Sequence, residues 1–471
     1  MCWSLQCQKR LILTKIRSYK MVQLESNHKS RFEFEVDHIV DGLRQVPPRI
    51  CGFLTRIVGL TLEAKGLKAS VGSVCRILKK GTDNEFVEAQ VVGFQEGVVY
   101  LMPLWDSRGL QAGDKVYVKS EADFANVSDS LIGRVVDSLG EPLDGKGPIL
   151  IESQSRLAGE PINPMDRTPI DRVLDVGVRA INALLTIGCG QRIGLVAGSG
   201  VGKSVLLAML TKFTSADIVV IGLIGERGRE VKEFVENTLG QEGMANAIVV
   251  AAPADQSPLL RIRATNLAHL YAEHYRAQGK DVLLLVDSLT RVAHAQREIG
   301  LAVGEPPTAK GYPPSVFSLL PRLIERTGTG KTSEGSITAV YTLLAEGDDL
   351  NDPVVDLARA SLDGQVILSR DLADAAHYPA IDLAGSISRL MPIIVENADL
   401  SSANRFRRLW TLYQQNQDLI QVGAYSAGSN RDIDQAIELR ASMENFLRQP
   451  MDELASVEDS FSTLKVVIEV E

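Results

Sequence analysis

Gly190-Gln191-Arg192-Ile193-Gly194-Leu195-Val196-Ala197-Gly198-Ser199-Gly200-Val201-Gly202-Lys203-Ser204 decides how this chain reads. An apolar run forms a strand, a glycine-rich turn comes next, and Lys-Ser opens a helix over Val205–Thr211. That order makes a P-loop. Glycines let successive backbone N–H groups turn onto phosphates, a lysine reaches the outer phosphates, and a hydroxyl ligates Mg²⁺. Gly198, Ser199, Gly200, Val201 and Gly202 form the cradle, Lys203 is the phosphate lysine and Ser204 the metal hydroxyl. The usual first glycine of G-x-x-x-x-G-K-[ST] is Ala197 here. Gly198 comes directly after it, so the turn is expected to survive.

Outward from this stretch, apolar runs of strand length recur at Ile218–Ile224, Ala247–Ala251, Val282–Val286 and Ile337–Leu343. Helical segments such as Leu259–Gln278 fall between them. Such alternation predicts an α/β domain, a mostly parallel sheet with helices on both faces. Ligands of such sheets bind at the carboxyl ends of the strands, where the P-loop lies.

Hydrolysis of a nucleotide needs more than phosphate binding: a held Mg²⁺, an oriented water and positive charge on the transition state. Val282-Leu283-Leu284-Leu285-Val286-Asp287 is a buried strand ending in a carboxylate, the pattern of a Walker B Asp. Ile224-Gly225-Glu226-Arg227-Gly228-Arg229-Glu230 closes another strand. Glu226 is placed to orient and deprotonate water, Arg227 to hold Glu226 or a phosphate, and Glu230 to contact Mg²⁺ through water. A charged helix start accounts for these residues equally well, because acids favour helix N-termini. His377-Tyr378-Pro379-Ala380-Ile381-Asp382-Leu383-Ala384-Gly385-Ser386-Ile387-Ser388-Arg389 offers Tyr378 as a flat face for adenine. Arg389, coming after a serine-bearing turn, offers a permanent charge for phosphate. Taken singly, these two read more simply as a core tyrosine and a surface arginine.

Elsewhere the 471-residue chain has a net charge of −9, 45% hydrophobic residues and 5% aromatics. That supports a large core and argues against a general nucleic-acid binder, which needs a basic face or stacking aromatics. Cys2, Cys7, Cys51, Cys75 and Cys189 show no C-x-x-C spacing and read as reduced, mostly buried thiols. No apolar run nears the ~18 residues that span a bilayer. Phe53–Leu62, Gly72–Leu78, Phe86–Gly93, Val98–Leu104 and Lys115–Lys119 are short β-rich runs, expected to form a small barrel or sandwich. Gly133 to Gly145 packs Gly, Pro and Asp into two tight turns. Ser401–Leu419 and Ile433–Gln449 have helical periodicity. The expected organisation is a tail over 1–29, a β-barrel assembly domain over 30–119, a P-loop ATPase domain over 120–393 and a helical domain over 394–471.

These motifs together resemble the P-loop ATPases related to the rotary ATP synthase alpha and beta subunits. Pro379-Ala380-Ile381-Asp382-x-x-x-Ser386-x-Ser388 matches that family's signature. Gly225-Glu226-Arg227-Gly228-Arg229-Glu230-Val231, Ala345-Glu346-Gly347-Asp348-Asp349, Gly304-Glu305-Pro306-Pro307 and Gly311-Tyr312-Pro313-Pro314-Ser315-Val316-Phe317 resemble its protein-export branch, the flagellar type III export ATPases in particular. The resemblance covers about residues 30–465. It implies a RecA-like core and Mg-dependent ATP hydrolysis energising export of flagellar proteins. It implies catalytic Lys203, Glu226 and Arg227; Ser204, Asp287 and Glu230 about Mg²⁺; and Tyr378 on adenine. Arg389 would be a finger into the neighbouring subunit's site. It further implies a ring-shaped homohexamer, a stalk-like central subunit, a negative regulator at the N-terminal region, chaperone–substrate complexes at the C-terminal domain, and a membrane export gate. The place of action would be cytoplasmic, peripheral to the inner face of the cell membrane.

Four other readings share parts of this pattern. The ATPase of a virulence injectisome shares the catalytic motifs. A rotary synthase catalytic subunit is disfavoured by Gly228 and by Glu346-Gly347-Asp348-Asp349. A hexameric RNA translocase is disfavoured by the acidic balance and scarce aromatics, and a non-catalytic subunit by the presence of both Lys203 and Glu226. Residues 1–20 carry Lys9, Arg10, Lys15, Arg17 and Lys20 with no acidic residue, and Met21 could be an alternative start. A disordered tail is the simpler reading, and a contact with anionic lipid the functional one. The functional reading predicts that full-length protein co-sediments with anionic liposomes at low salt better than a Met21-start form. Equal binding makes the segment dispensable for lipid contact.

Overall fold

The computed structural model describes residues 50–79, 85–120, 124–345, 349 and 352–468. The basic segment 1–20, Met21 and the Glu346-Gly347-Asp348 stretch lie outside these described residues. Gly52–Glu471 forms one compact unit.

Six strands open it: β1 (Cys51–Val58), β2 (Thr61–Lys65), β3 (Val74–Leu78), β4 (Phe86–Gln95), β5 (Val98–Pro103) and β6 (Lys115–Ser120). They close a barrel in the order β1-β2-β5-β4-β3-β6. Backbone bonds from Leu54 N to Asp114 O (2.8 Å) and Gly113 N to Leu54 O (2.7 Å) seal it. Alternate residues point inward, as the pleat requires, so Leu54, Leu62, Cys75, Ile77, Ala89, Val91 and Leu101 fill the interior. The run Phe53–Leu62 is not one strand. Gly59, at φ +56°, and Leu60 turn it into a hairpin that pairs Val58 with Thr61. Met102 and Leu104 from the barrel pack with Leu259, Leu260 and Ile299, fixing the barrel to the helices Pro258–Ala277 and Leu289–Ala302.

β7 (Phe124–Val127) pairs with β9 (Ser153–Arg156) as a separate ribbon. The main sheet takes β8 (Val135–Val136), β10 (Arg192–Ala197), β11 (Ile218–Ile224), β12 (Ala247–Ala252), β13 (Asp281–Asp287), β15 (Ser336–Leu344), β16 (Gly364–Leu368) and β17 (Ile381–Ser388). Its order is β17-β16-β10-β15-β13-β11-β12-β8, with β14 (Gly328–Thr329) beside β15. β8, β10 to β13, β15 and β16 run parallel, while β14 and β17 are antiparallel. β11, β12 and β13 are buried on both faces, so they read as unbroken apolar runs.

The pleat divides these strands between two cores. Leu195, Ile221, Leu223 and Leu285 face the helix Lys203–Phe213 and the C-terminal helices Asn397–Gln421, Arg431–Leu447 and Val457–Ile468. Val196, Val220, Leu284 and Tyr341 face the helices Pro258–Ala277, Leu289–Ala302 and Pro314–Glu325. Ser386 and Ser388 lie on the edge strand β17, not in the turn expected before Arg389. Their hydroxyls are satisfied there: Ser386 Oγ accepts from Ile367 N (2.9 Å) and Ser388 Oγ donates to Thr186 O (2.7 Å). Among the described residues, no helix is long and apolar enough to cross a membrane.

Within the second core, His269 is fully buried. Its Nδ1–H donates to Thr265 O (2.8 Å), and Nε2 accepts from the Tyr341 hydroxyl (2.9 Å). Burial pushes its pKa down to about 3 from 6.5. The folded state therefore holds a neutral imidazole where the unfolded chain takes up a proton. This stability is present above pH 6.5 and is lost as pH falls toward 3. Between pH 6.5 and 5 the loss is about 2 kcal/mol. His269→Gln, whose amide can keep both bonds, should flatten the decline of denaturation midpoint over that window. An unchanged slope refutes the assignment.

Candidate functional site

β10, β15, β13 and β11 end on the same edge of the sheet, and the functional groups gather there. β10 runs through Ala197, which pairs with Leu344 and is buried. The turn begins only after it. Positive φ falls at Gly200 (+78°) and Gly202 (+86°), where glycine is needed, and not at Ala197. Alanine at the first motif position therefore costs the loop nothing. Gly202 caps the helix Lys203–Phe213, so the helix N-terminus opens onto the loop.

The Lys203 ammonium donates to Asp287 Oδ1 and to Glu226 Oε1 (3.4 Å). Asp287 ends β13, is buried, and also accepts from Thr342 Oγ1 on β15 (2.7 Å). Glu226 comes after β11 through Gly225, whose φ of +75° redirects the chain. Burial raises the Glu226 pKa above the ordinary glutamate value; Lys203 opposes this and Asp287 reinforces it. A Cβ at Gly225 would stand 2.8 Å from Arg291 Cβ, so the turn also admits the Arg291 stem.

A cleft of about 700 Å³ joins Ala197, Gly198, Ser199, Gly200, Gly202, Lys203 and Ser204 to Glu226, Arg227 and Glu230. Val201 is buried behind the loop. Arg227 Nη1 donates to Glu230 Oε1 (3.1 Å), so its carboxylate partner is Glu230, not Glu226. Tyr378 lies beside the cleft. Its ring carbons would stand 3.3 Å from a Cβ at Gly202, and 45% of the residue is exposed. An aromatic face next to the phosphate loop is placed to stack on a base.

Arg389 is not brought into this cleft. Its N–H bonds to Asp363 O (3.0 Å), before β16 begins. β17 starts beside Leu368, at the loop end of the sheet, and runs eight residues away. At ~3.3 Å per residue, Arg389 lies about 26 Å from that end.

Two arginines that the sequence reading missed line the cleft: Arg291 and Arg370. Arg291 comes four residues after Asp287, in the first turn of the helix Leu289–Ala302, with no local signal to mark it. Its Nε is buried without a hydrogen-bond partner. Arg370 Nη1 donates to Ser199 O (3.3 Å).

Ser204, Asp287 and Glu230 supply only oxygen donors, the set Mg²⁺ prefers. Lys203 already bridges Asp287 and Glu226, so the carboxylates accept a cation between them. The residues present fit a nucleotide-borne Mg²⁺.

Comparison with known proteins agrees with this geometry. Residues 177–388 match the model of the ATP synthase alpha/beta family nucleotide-binding domain, and 54–118 match its beta-barrel domain. Residues 395–466 match the T3SS EscN ATPase C-terminal domain. The flagellum-specific ATP synthase of Pseudomonas aeruginosa is 54% identical, over 88% of this chain and 93% of its own. That of Salmonella typhimurium is 51% identical over the same shares. The assembled ATPase EscN, solved with its central stalk EscO from the enteropathogenic E. coli type III secretion system, superposes with a TM-score of 0.82. It is 39% identical over 88% of this chain and all of that one.

A half-buried Glu226 acting as base must be ionised to work. The acid limb of kcat/KM, which reports the free enzyme, should therefore lie above the ordinary glutamate range, activity rising with pH through it. Glu226→Gln should keep nucleotide binding and lose roughly a hundredfold or more in turnover. Weakened binding with turnover per bound ATP preserved would make Glu226 structural.

Proposed function

The chain belongs to the ATP synthase alpha/beta family, and we propose that it is the ATPase that energises export of flagellar proteins through a type III apparatus, working as a ring-shaped homohexamer. One observation carries the catalytic reading: at the mouth of a P-loop, Lys203 holds both Glu226, which lines the cleft, and the buried Asp287. The flagellar assignment is supported by identities of 54% and 51% to flagellum-specific relatives, against 39% to 44% to solved ATPases of pathogenic type III secretion systems.

In this reading the loop amides and Lys203 bind the ATP phosphates. Ser204, Asp287 and Glu230 hold Mg²⁺, directly or through water, and the metal when bound neutralises phosphate charge. Glu226 orients the attacking water and accepts its proton. Its raised pKa brings its basicity closer to neutral pH, where a general base is most effective. Arg291, always charged, faces the same space and offsets charge developing on the terminal phosphate. Tyr378 receives the base. Arg227 fixes Glu230 at the rim.

Arg389 has no role in its own cleft, and the end of an edge strand suits delivery to a neighbour. Ring assembly then completes each site, as an arginine finger supplied in trans. A stalk-like subunit in the ring channel, a negative regulator, chaperone–substrate complexes and a membrane export gate are the proposed partners. Action would be cytoplasmic, at the inner face of the membrane.

A finger in trans is worth about 10³–10⁵ in rate in other P-loop enzymes. Arg389→Ala and Lys203→Ala proteins should each be nearly inactive in phosphate release, and mixed rings should recover activity. Either variant should also abolish swarming in soft agar when it replaces the native protein. A dead mixture whose rings are shown to contain both subunits, or an active Arg389→Ala protein, refutes the assignment.

A further inference from the structure

The turn that carries Tyr378 is fastened to the C-terminal helices by contacts outside the catalytic machinery. It leaves the short helix Arg370–Asp374 through Ala376, a non-glycine residue at φ +53°. Ala376 N bonds to Ala373 O and His377 N to Leu372 O, both at 2.9 Å. A left-handed alanine is uncommon, and surrounding structure must hold it.

That structure comes from the end of the helix Arg431–Leu447. Gln449 N donates to the Tyr378 carbonyl (3.0 Å). Arg448 Nε donates to Nδ1 of the buried His377 (3.4 Å). Glu444 of the same helix also faces the imidazole. To accept at Nδ1 the ring must be neutral, and burial lowers its pKa. Gln449 is itself immobilised. Its Oε1 accepts from Arg179 N (2.7 Å), and its Nε2 donates to Gly177 O (2.8 Å) and Glu453 O (2.7 Å). On its other side the turn sets the Tyr378 ring against Gly202. One connected path thus runs from the C-terminal helix through Arg448 and His377 to Tyr378 and the phosphate loop.

We propose that Arg448 and His377 are positioning residues for the nucleotide base: they hold the turn that sets Tyr378 beside the P-loop, so this contact tunes affinity for the base and leaves phosphate binding alone. The inference rests on Tyr378 being the base-stacking residue.

Inorganic tripolyphosphate, which lacks a base, separates the two contributions, and ADP reports both. Equilibrium titrations compare the wild-type full chain with Arg448→Ala, Arg448→Lys, Tyr378→Ala and the Arg448→Ala/Tyr378→Ala double variant. Arg448 is exposed, so its removal spares the core. Arg448→Ala should weaken ADP about 5-fold, the scale of one hydrogen bond, and leave tripolyphosphate unchanged. Arg448→Lys should restore part of the loss. In the Tyr378→Ala background, Arg448→Ala should cost nothing further. Unchanged ADP affinity in Arg448→Ala, equal losses for both ligands, or an undiminished loss in the double variant overturns the proposal. Full ADP affinity in Tyr378→Ala removes the base-stacking reading beneath it, and the proposal with it.

Discussion

The Lys203 ammonium between Asp287 and Glu226 is the interaction on which the site depends. β10 and β13 are not neighbours; β15 lies between them. Two strand spacings of ~4.8 Å put the P-loop strand about 10 Å from the Asp287 strand, and the lysine and aspartate side chains meet across that gap. β15 is not a passive spacer, because its Thr342 hydroxyl braces Asp287. A buried and a half-buried carboxylate this close repel each other, which adds to the burial that raises the Glu226 pKa. They share the space only while a cation stands near. When Lys203 turns to phosphates, another positive charge must take its place, and a nucleotide that carries its own Mg²⁺ brings one. Phosphate recognition and metal recognition are thus two halves of one charge balance.

Much of this was legible in the sequence because parallel strands buried on both faces leave unbroken apolar runs. β13 ends in Asp287, and Glu226 comes two residues after β11, for the same reason: the sheet edge is where burial stops. β16 and β17 were not legible as strands. Gln365, Asp382, Ser386 and Ser388 interrupt their apolar pattern, and only the fold shows those groups satisfied, as where Gln365 Nε2 bonds to Gly385 O (2.9 Å). Arg291 and Arg370 were missed because each enters the cleft from an element whose own pattern says nothing of phosphates. The choice of Glu230 as the partner of Arg227 was likewise invisible, since both carboxylates sit within one turn of that arginine. The pairing of His377 with Arg448 joins residues 71 apart and leaves no local signal at all.

The helical region at the C-terminus shares a core with the P-loop helix. Leu206, Leu207 and Leu210 of that helix belong to the same apolar cluster as Phe406, Trp410, Met443 and Phe446. Interiors packed to crystal-like density transmit displacement instead of absorbing it. A partner that shifts the C-terminal helices therefore acts on the nucleotide end of the sheet through packing as well as through the His377 turn.

β17 gives that coupling a direction. Its first residues come just after the turn of Tyr378, and its last precedes Arg389. Arg407, from the C-terminal helix Asn397–Gln421, donates to Leu383 O (2.9 Å) and Ser386 O (2.7 Å) on this strand, and to Leu184 O (3.2 Å) behind it. A guanidinium with three carbonyl partners ties one strand to one helix at fixed geometry. In the proposed ring, one end of β17 stands at its own subunit's nucleotide base and the other supplies charge to the next subunit's phosphates. A strand held at its middle cannot move one end without the other. The base-binding state of each subunit and the completeness of its neighbour's site are then set by the same rigid element.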